Sequence, residues 1–520
     1  MKREEMLQSI KQNTEWDVLV IGGGASGLGV AVDAASRGYK TVLFEGVDFA
    51  KGTSSRSTKL VHGGVRYLAQ GNIKLVIEAL RERGLLARNA SHLFKSLDFV
   101  IPNYSLWDGA FYGIGLKVYD LLSGRLSIGK SSLIGSKKTL SRIPTLRPDE
   151  LKSGVIYRDG QFDDSRLAIN LAQTAVDHGA TVINHMKVID VIKDQHGRLS
   201  GVKVRDQESA QELEINSKVV VNATGVFANK ILKLNGRKKK ALKVVPSQGI
   251  HLVVDSSFLP GKDALMIPKT SDGRVLFAIP WHNKVVLGTT DTPIKKPIYE
   301  PIAFDKEIDF ILQTAGKYLT KKPLRSDVQS VFAGLRPLVA PEGDKSNTKE
   351  ISRGHQVLIS ESGLLSILGG KWTTYRKMAE EVVDTAIKEA GLEPKPCKTR
   401  NLAIHGNSKE IHQNGLAIYG SDAKGILELE SNRPELKELI HPDYGYRLSQ
   451  VVWAVQYEMA RTVEDVLARR IRLLFLDAAA AIESVEKVAG CMAKEMQKDK
   501  TWINRQCETF KTMAEKYVVN

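Results

Sequence analysis

Four apolar residues in a row, Val18 to Ile21, run into Gly22-Gly23-Gly24-Ala25-Ser26-Gly27, and a helical pattern follows as far as Ser36. The series predicts a strand, a tight turn and a helix, with Gly38 suited to a left-handed C-cap. A second strand, Thr41 to Phe44, ends in Glu45. The theme returns twice. Val219 to Leu232 reads as a buried strand, the turn Ala223-Thr224-Gly225 and a helix. Leu364 to Leu368 reads as a strand that meets Gly369-Gly370, after which Lys371-Trp372-Thr373-Thr374 opens a long amphipathic helix. Ala180 to Asp194 reads as a strand pair, and "GIHLVVD", "RVLFAIP" and "KVVLGTT" as further strands. Glu393 to Asn401, basic and polar with two prolines, reads as a linker. Beyond it the spacing suits packed helices, with Thr462 as an N-cap and Asp465 three residues on, close to a capping box.

The first segment carries Gly22-x-Gly24-x-x-Gly27 in the setting that gives the pattern meaning. Gly22 permits the tight turn, Gly24 lets a pyrophosphate approach the backbone, and Gly27 lets the helix pack on the sheet. The N–H groups at Ala25 and Ser26 and the partial positive charge of the helix start favour that pyrophosphate. Glu45 is placed to accept from an adenosine ribose. The motif alone does not separate NAD from FAD. The strand–Ala-Thr-Gly–helix segment, with Thr224 and Gly225, recurs in two-dinucleotide-binding-domain flavoproteins. The backbone near Val188 suits an adenine, and Gly370, Lys371 and Thr373 stand where negative charge develops on a reduced flavin. The predicted fold is therefore α/β. A two-dinucleotide-type, Rossmann-like FAD-binding domain (about 14–105, 155–240 and 330–392) is interleaved with an antiparallel-sheet substrate domain (about 106–154 and 241–329). A C-terminal helical domain follows over 400–520.

Composition narrows the setting. The 520 residues are 42% hydrophobic and 26% charged, ordinary for a globular chain. Three cysteines without a CxxC pair fit a reducing compartment and offer no zinc site, so no metal is expected. The charged start of the chain has no apolar core of a secretory signal. A formal charge of +16 favours anionic partners: phosphorylated substrates or an anionic membrane surface. No RNP-like, zinc-finger or helix-turn-helix signature points to nucleic acid. Ser105 to Gly124, aromatic and aliphatic with few charges, and the basic Leu232 to Lys243 are the two candidate membrane contacts.

The stretch "TSSRSTKLVHGGVRYL", Thr53 to Leu68, holds Arg56, Lys59, His62 and Arg66 and no acid. It lies just after Glu45, where an extended flavin runs from ribose to ring, and Thr53, Ser54 and Ser55 suit pyrophosphate and ribityl oxygens.

Together these motifs resemble the FAD-dependent glycerol-3-phosphate dehydrogenases, through "VIGGGASGLGVAVDAASRG", "TSSRSTKLVHGGVRYL", "VNATG", "FAIPW", "LGTTDT", "GLRPL" and "GGKWTTYRK". The resemblance spans about residues 14–500. It implies oxidation of sn-glycerol 3-phosphate to dihydroxyacetone phosphate, hydride passing from C2 to flavin N5 and electrons onward to a membrane quinone. One subgroup uses oxygen and makes hydrogen peroxide; it tends to carry an extra insertion in the substrate domain, for which this chain has no obvious room. The missing acids are then expected on the ligands. Gly63-Gly64 allows close approach to the isoalloxazine, and His62 lies near the substrate as the preferred base. Arg66 and Tyr67 serve the phosphate, with Arg274 a weaker candidate, while Arg336 and Lys371 stabilise a developing alkoxide. The expected location is cytoplasmic and peripheral on the inner face of the membrane. A homodimer is left open, as is the role of residues 1–14. Rival readings are an amino-acid dehydrogenase on the same fold and an RNA-binding flavoprotein.

Overall fold

The computed structural model describes all residues except 65–67, 69–70, 237–242, 272, 341–353, 411–414 and 520. Among these, eight strands form the first sheet. Glu15–Ile21 lies at its centre, parallel to Glu212–Asn222 on one side and Thr41–Phe44 on the other. Thr181–Ile183 and Leu365–Gly369 extend it in parallel. Val18, Leu19, Val20, Val42 and Leu43 are wholly buried, in a core shared with the helices Ala25–Ser36 and Tyr375–Glu389 and with Val202 and Val204 of the strand Leu199–Asp206. The helix Ala25–Ser36 packs so tightly on Tyr375–Glu389 that a methyl on Gly29 would stand 3.0 Å from the Tyr375 ring. Thr181–Ile183 and Met186–Lys193, expected as a pair, are both strands of this sheet but pair with Thr41–Phe44 and Leu199–Asp206 respectively.

A second, ten-stranded sheet is almost wholly antiparallel and has Lys243–Asp255 and Val328–Ala340 as its longest ladder. Its membership corrects the expected segment boundaries. Lys95–Asn103 wholly, and Ser153–Gln161 and Val328–Ala340 for all but their first two residues, fall in ranges assigned to the nucleotide domain, yet all three belong to the second sheet. An apolar run announces a strand; only the register of its partners says which sheet it joins.

Beyond residue 400 the chain is mainly helical, and its core is shared with the second sheet: Val466, Phe475 and Leu476 pack with Val253, Trp281 and Phe332. Thr462 and Asp465 cap each other as expected, Asp465 N–H donating to Thr462 Oγ1 (3.2 Å) and Thr462 N–H to Asp465 Oδ2 (2.9 Å). The linker is largely exposed but tied down at several points. Cys397 Sγ and Thr399 Oγ1 both reach the buried Asp33, and Tyr39 donates to the Glu393 carbonyl. The first residues form a helix, Arg3–Gln12, whose Met6 and Ile10 join the core and whose buried Arg3 pairs with Asp206 at 2.6 Å.

Buried ion pairs fasten the C-terminal domain to the loop after Glu45. Asp48, fully buried, accepts from Arg469 (2.5 Å) and Arg470 (2.7 and 3.0 Å). Those guanidinium groups hold the Asp48 carboxyl below the ordinary range against the opposing effect of burial, which is the larger single influence. Asp48, His185 and Asp465 stand close enough to share a cation, but the arginines already supply the positive charge. Asp48→Ala leaves two buried guanidinium groups short of a partner and should cost about 3–5 kcal/mol of stability, read as a fall in the denaturation midpoint of the purified protein.

Candidate active site

Three turns from distant parts of the chain line a cleft of about 550 Å³ at the carboxyl edge of the first sheet. The first is the glycine turn. Gly22 adopts φ +110°, and a methyl on Gly27 would lie 1.9 Å from the Gly22 carbonyl, so strand and helix meet here only without side chains. Gly24, Ala25 and Ser26 line the wall, and Ser54 Oγ accepts the Ala25 N–H at 2.9 Å. Glu45 lines the same wall. Its carboxylate accepts from the N–H groups of Gly23 (2.7 Å) and Val47 (2.9 Å), while burial pushes its pKa up. The second turn brings Thr224 and Gly225, and the third Gly370 and Lys371. Val188 closes the far side. A helix start behind a glycine turn, close backbone approach and an acid at the strand end together fit a dinucleotide.

Lys371, Trp372, Gly370 and Thr53 also line a second cavity of about 310 Å³, so the two spaces meet at the glycine pair. His62, Arg274, Arg336 and Lys371, read from four separate motifs, stand around it with Gly64 and Thr373. Arg336 lies on the strand Val328–Ala340 and donates to Thr289 Oγ1 at 3.2 Å, with Asp291 at 3.7 Å. Its guanidinium passes over Gly249: a methyl there would come within 2.3 Å of Nη2. Phe99, Met266 and Phe277 add apolar wall.

Other expected contacts fall elsewhere. Gly27, Ser55 and Gly63 back the walls instead of lining them. Gly63 packs on Leu80 and gives its N–H to Tyr119 Oη at 2.8 Å. The Ser55 carbonyl accepts from Lys59 Nζ (2.7 Å) and Arg472 (2.9 Å). Arg66 and Tyr67 lie outside the described residues. Nor are the acids missing around Thr53 to Leu68 left wholly to ligands. Arg56 pairs with Glu300 at 2.9 Å and Lys59 with Asp164 at 2.8 Å, carboxylates more than a hundred residues away in sequence. Burial, helped by Arg472, pulls Lys59 down to about 7.

His251 escaped the sequence reading. It is fully buried, stacked on Phe332 at 4.9 Å, and its Nε2 lies 2.9 Å from Thr58 Oγ1 on the cavity wall. Gly288 lies flat beneath it, with room for no side chain. Burial first, then Lys59 and Arg336, holds its pKa well below the usual histidine range. The signal was present: one histidine inside the apolar run Ile250 to Val254.

The family of FAD-dependent oxidoreductases matches residues 17–376, and the C-terminal domain of alpha-glycerophosphate oxidase matches residues 361–502. The mitochondrial glycerol-3-phosphate dehydrogenase of Schizosaccharomyces pombe is 38% identical over 95% of this chain and 86% of its own length. The chain belongs to the family of FAD-dependent glycerol-3-phosphate dehydrogenases. Another member, the probable mitochondrial glycerol-3-phosphate dehydrogenase of Caenorhabditis elegans, is 40% identical over 95% of this chain and 72% of that one. The glycerol-3-phosphate dehydrogenase from Bacillus halodurans, solved with FAD, shares the fold at a TM-score of 0.81 and 31% identity, covering 99% of this chain and 97% of that one. The cofactor is FAD.

Because only a glycine fits beneath Arg336, Gly249→Ala should push the guanidinium aside. The expected result is normal FAD content after purification and about tenfold weaker binding of inorganic phosphate, read by perturbation of the flavin spectrum. Loss of flavin along with phosphate would show that the strand itself had moved.

Proposed function

We propose that the protein oxidises sn-glycerol 3-phosphate to dihydroxyacetone phosphate and passes the electrons to a membrane quinone. The observation that carries this reading is the meeting of Arg274, Arg336 and Lys371 around one cavity that opens onto the dinucleotide cleft. A phosphate dianion is the ligand such a set would take, and Arg336 offers it or the neighbouring oxygen a planar fork. Arg66 and Tyr67 are assigned to the phosphate by resemblance. FAD, when bound, supplies the acceptor for the hydride from C2. The chain must then take the C2 hydroxyl proton and steady the oxygen that loses it. Lys371 and Arg336 serve the oxygen. His62, on the cavity wall, is assigned the proton, whereas His251 is held well below the usual histidine range and is unsuited to keep one. His251 is left to orient the substrate as a neutral hydrogen-bonding group.

The assignment of cofactor contacts follows the walls: Gly22, Gly24, Ala25, Ser26 and Thr53 to Ser54 toward the pyrophosphate, Glu45 toward the ribose, Val188 toward the adenine, and Thr224, Gly225, Gly370 and Lys371 toward the flavin end. Anaerobic addition of sn-glycerol 3-phosphate should bleach the flavin band, and glycerol or glycine should not. Slow recovery in air, hastened by a soluble quinone, marks the dehydrogenase; fast recovery with peroxide marks an oxygen-using oxidase. No bleaching by the phosphate ester removes the substrate assignment. His62→Ala should lower kcat by about a hundredfold or more with little change in KM, while Arg66→Ala should chiefly raise KM. Equal effects of both on KM alone would undo this division.

Electron delivery to a quinone requires a bilayer. No described helix is long and apolar enough to cross one. The helix Leu106–Ser123 instead turns an apolar stripe outward: Trp107 is 86% exposed, Phe111 65%, Ile114 70%, Val118 42% and Leu121 79%. Its other face buries Leu116 and Tyr119. Lys117, Lys130, Lys137 and Lys138 stand exposed on this helix and the segment that follows. An apolar stripe edged by lysines suits an anionic bilayer surface. Of the other candidate, Leu232 to Lys243, residues 237–242 lie outside the described residues. Replacing Trp107, Ile114 and Leu121 together with serine should abolish flotation with vesicles containing anionic lipid. It should leave turnover with a soluble acceptor near wild type. Unchanged flotation rejects this face, and conversion of a dimer to a monomer would give it to a second copy of the chain.

A further inference from the structure

The segment 294–304 has no regular secondary structure, yet it is fixed at both ends and in the middle. Ile294 N–H donates to the Pro246 carbonyl at 3.0 Å, and Gln248 Nε2 donates to the Ile302 carbonyl at 3.0 Å, so both ends rest on the strand Lys243–Asp255. At its centre Glu300 accepts from both Lys51 and Arg56 and from the Tyr517 hydroxyl. These partners hold the Glu300 carboxyl down to about 2 although burial opposes them. Pro297 and Pro301 restrict the backbone on either side. The segment is thus a strap, thrown from the second sheet across to the loop that leaves Glu45.

Tyr299 stands next to the pin. Its ring lies over Phe227, centroids 4.3 Å apart, and it lines the same cleft as Glu45, Lys187 and Val188. It remains 40% exposed. Burial in the cleft, and after it the charge of Glu45, pushes its phenol up to about 12. The Tyr299 ring thus stands at the mouth of the cleft, beside the acid assigned to the ribose.

We propose that Tyr299 is a cofactor-binding residue: the strap closes the adenosine end of the FAD cleft from the substrate side, with the Tyr299 ring as its cover and Glu300 as its pin. The inference rests on the placement of the ribose at Glu45. Glu45 grips the ribose from the sheet, and Tyr299 faces it from across the cleft. Because Lys51 and Arg56 flank the dinucleotide cleft and the second cavity respectively, the same pin steadies a wall of each.

The test uses full-length apoprotein, stripped of flavin and titrated with FAD by fluorescence quenching, with ADP as the competing probe. Tyr299→Ala should weaken FAD and ADP by the same factor, about tenfold, as loss of an aromatic cover over a nucleoside does. Tyr299→Phe, which keeps the ring, should stay within about twofold, and Glu300→Gln should release FAD about tenfold faster. Wild-type FAD affinity in Tyr299→Ala, or a loss for FAD with none for ADP, overturns the proposal. Tyr299→Gln, polar at an exposed position, provides the same comparison should the alanine variant not fold. Failure of ADP to compete in the wild type would fault the ribose placement instead, and competition there without change in Tyr299→Ala would fault the strap alone.

Discussion

A carboxylate without water around it must find cations, and Asp48 finds two arginines from the far end of the chain. Much else depends on that pairing. Asp48 opens the loop that leaves the second strand; of the residues after it, Thr53 lines both cavities, Lys51 and Ser54 the cleft, and Arg56 the second cavity. A loop this rich in donors would swing toward solvent if nothing held its start. Arg469 and Arg470 hold it from one side, and Glu300 and Glu464 hold Lys51 from the other. The ion pairs need not add net stability; buried pairs often do not. What they impose is position, because any shift of the loop leaves charges buried and unmatched.

Two groups of cations meet around the site. Arg56, Lys59, Arg83, Arg166, Arg469 and Arg470 are neutralised inside by carboxylates of the chain. Arg274, Arg336 and Lys371 border the cavity together with Arg56, and Arg336 has Asp291 at 3.7 Å. The first set holds the scaffold that positions the second. Lys59 shows how close the two lie: it shares the Phe332 ring with His251, which itself lines the cavity, and its charge helps keep that histidine neutral.

What was legible in the sequence follows from how local each signal is. The glycine turn with Glu45, the Ala-Thr-Gly turn and the Gly-Gly-Lys turn are each complete within a few tens of residues, and each one's backbone geometry demands its residue types. Arg336, in a motif remote from all three, was legible only through the family pattern. The partners of Arg56 and Lys59 were not legible, since Glu300 and Asp164 arrive through tertiary contacts that no spacing records. Nor was the allegiance of Lys95–Asn103, Ser153–Gln161 and Val328–Ala340: their apolar runs fit either sheet. Tyr299 sits in a stretch with two prolines and two lysines that reads as an ordinary loop.

The helix Leu106–Ser123 joins the outer surface to the reaction site through one side chain. Tyr119, on the face opposite Trp107 and Leu121, accepts the Gly63 N–H at 2.8 Å and donates to Asp159 at 2.6 Å, and Asp159 in turn holds Arg83 at 2.9 Å. The Tyr119 phenol is pushed far above its ordinary pKa by burial and by Asp159, so it stays a donor to that carboxylate. Gly63 follows His62 in the chain, and no side chain fits at Gly63 against Leu80 and Tyr119. The peptide beside the proposed base is thus fixed by the inner face of the helix whose outer face is proposed to meet the bilayer. The face proposed to bring the protein to its electron acceptor and the face that fixes the peptide beside the proposed proton acceptor belong, in this fold, to a single helix.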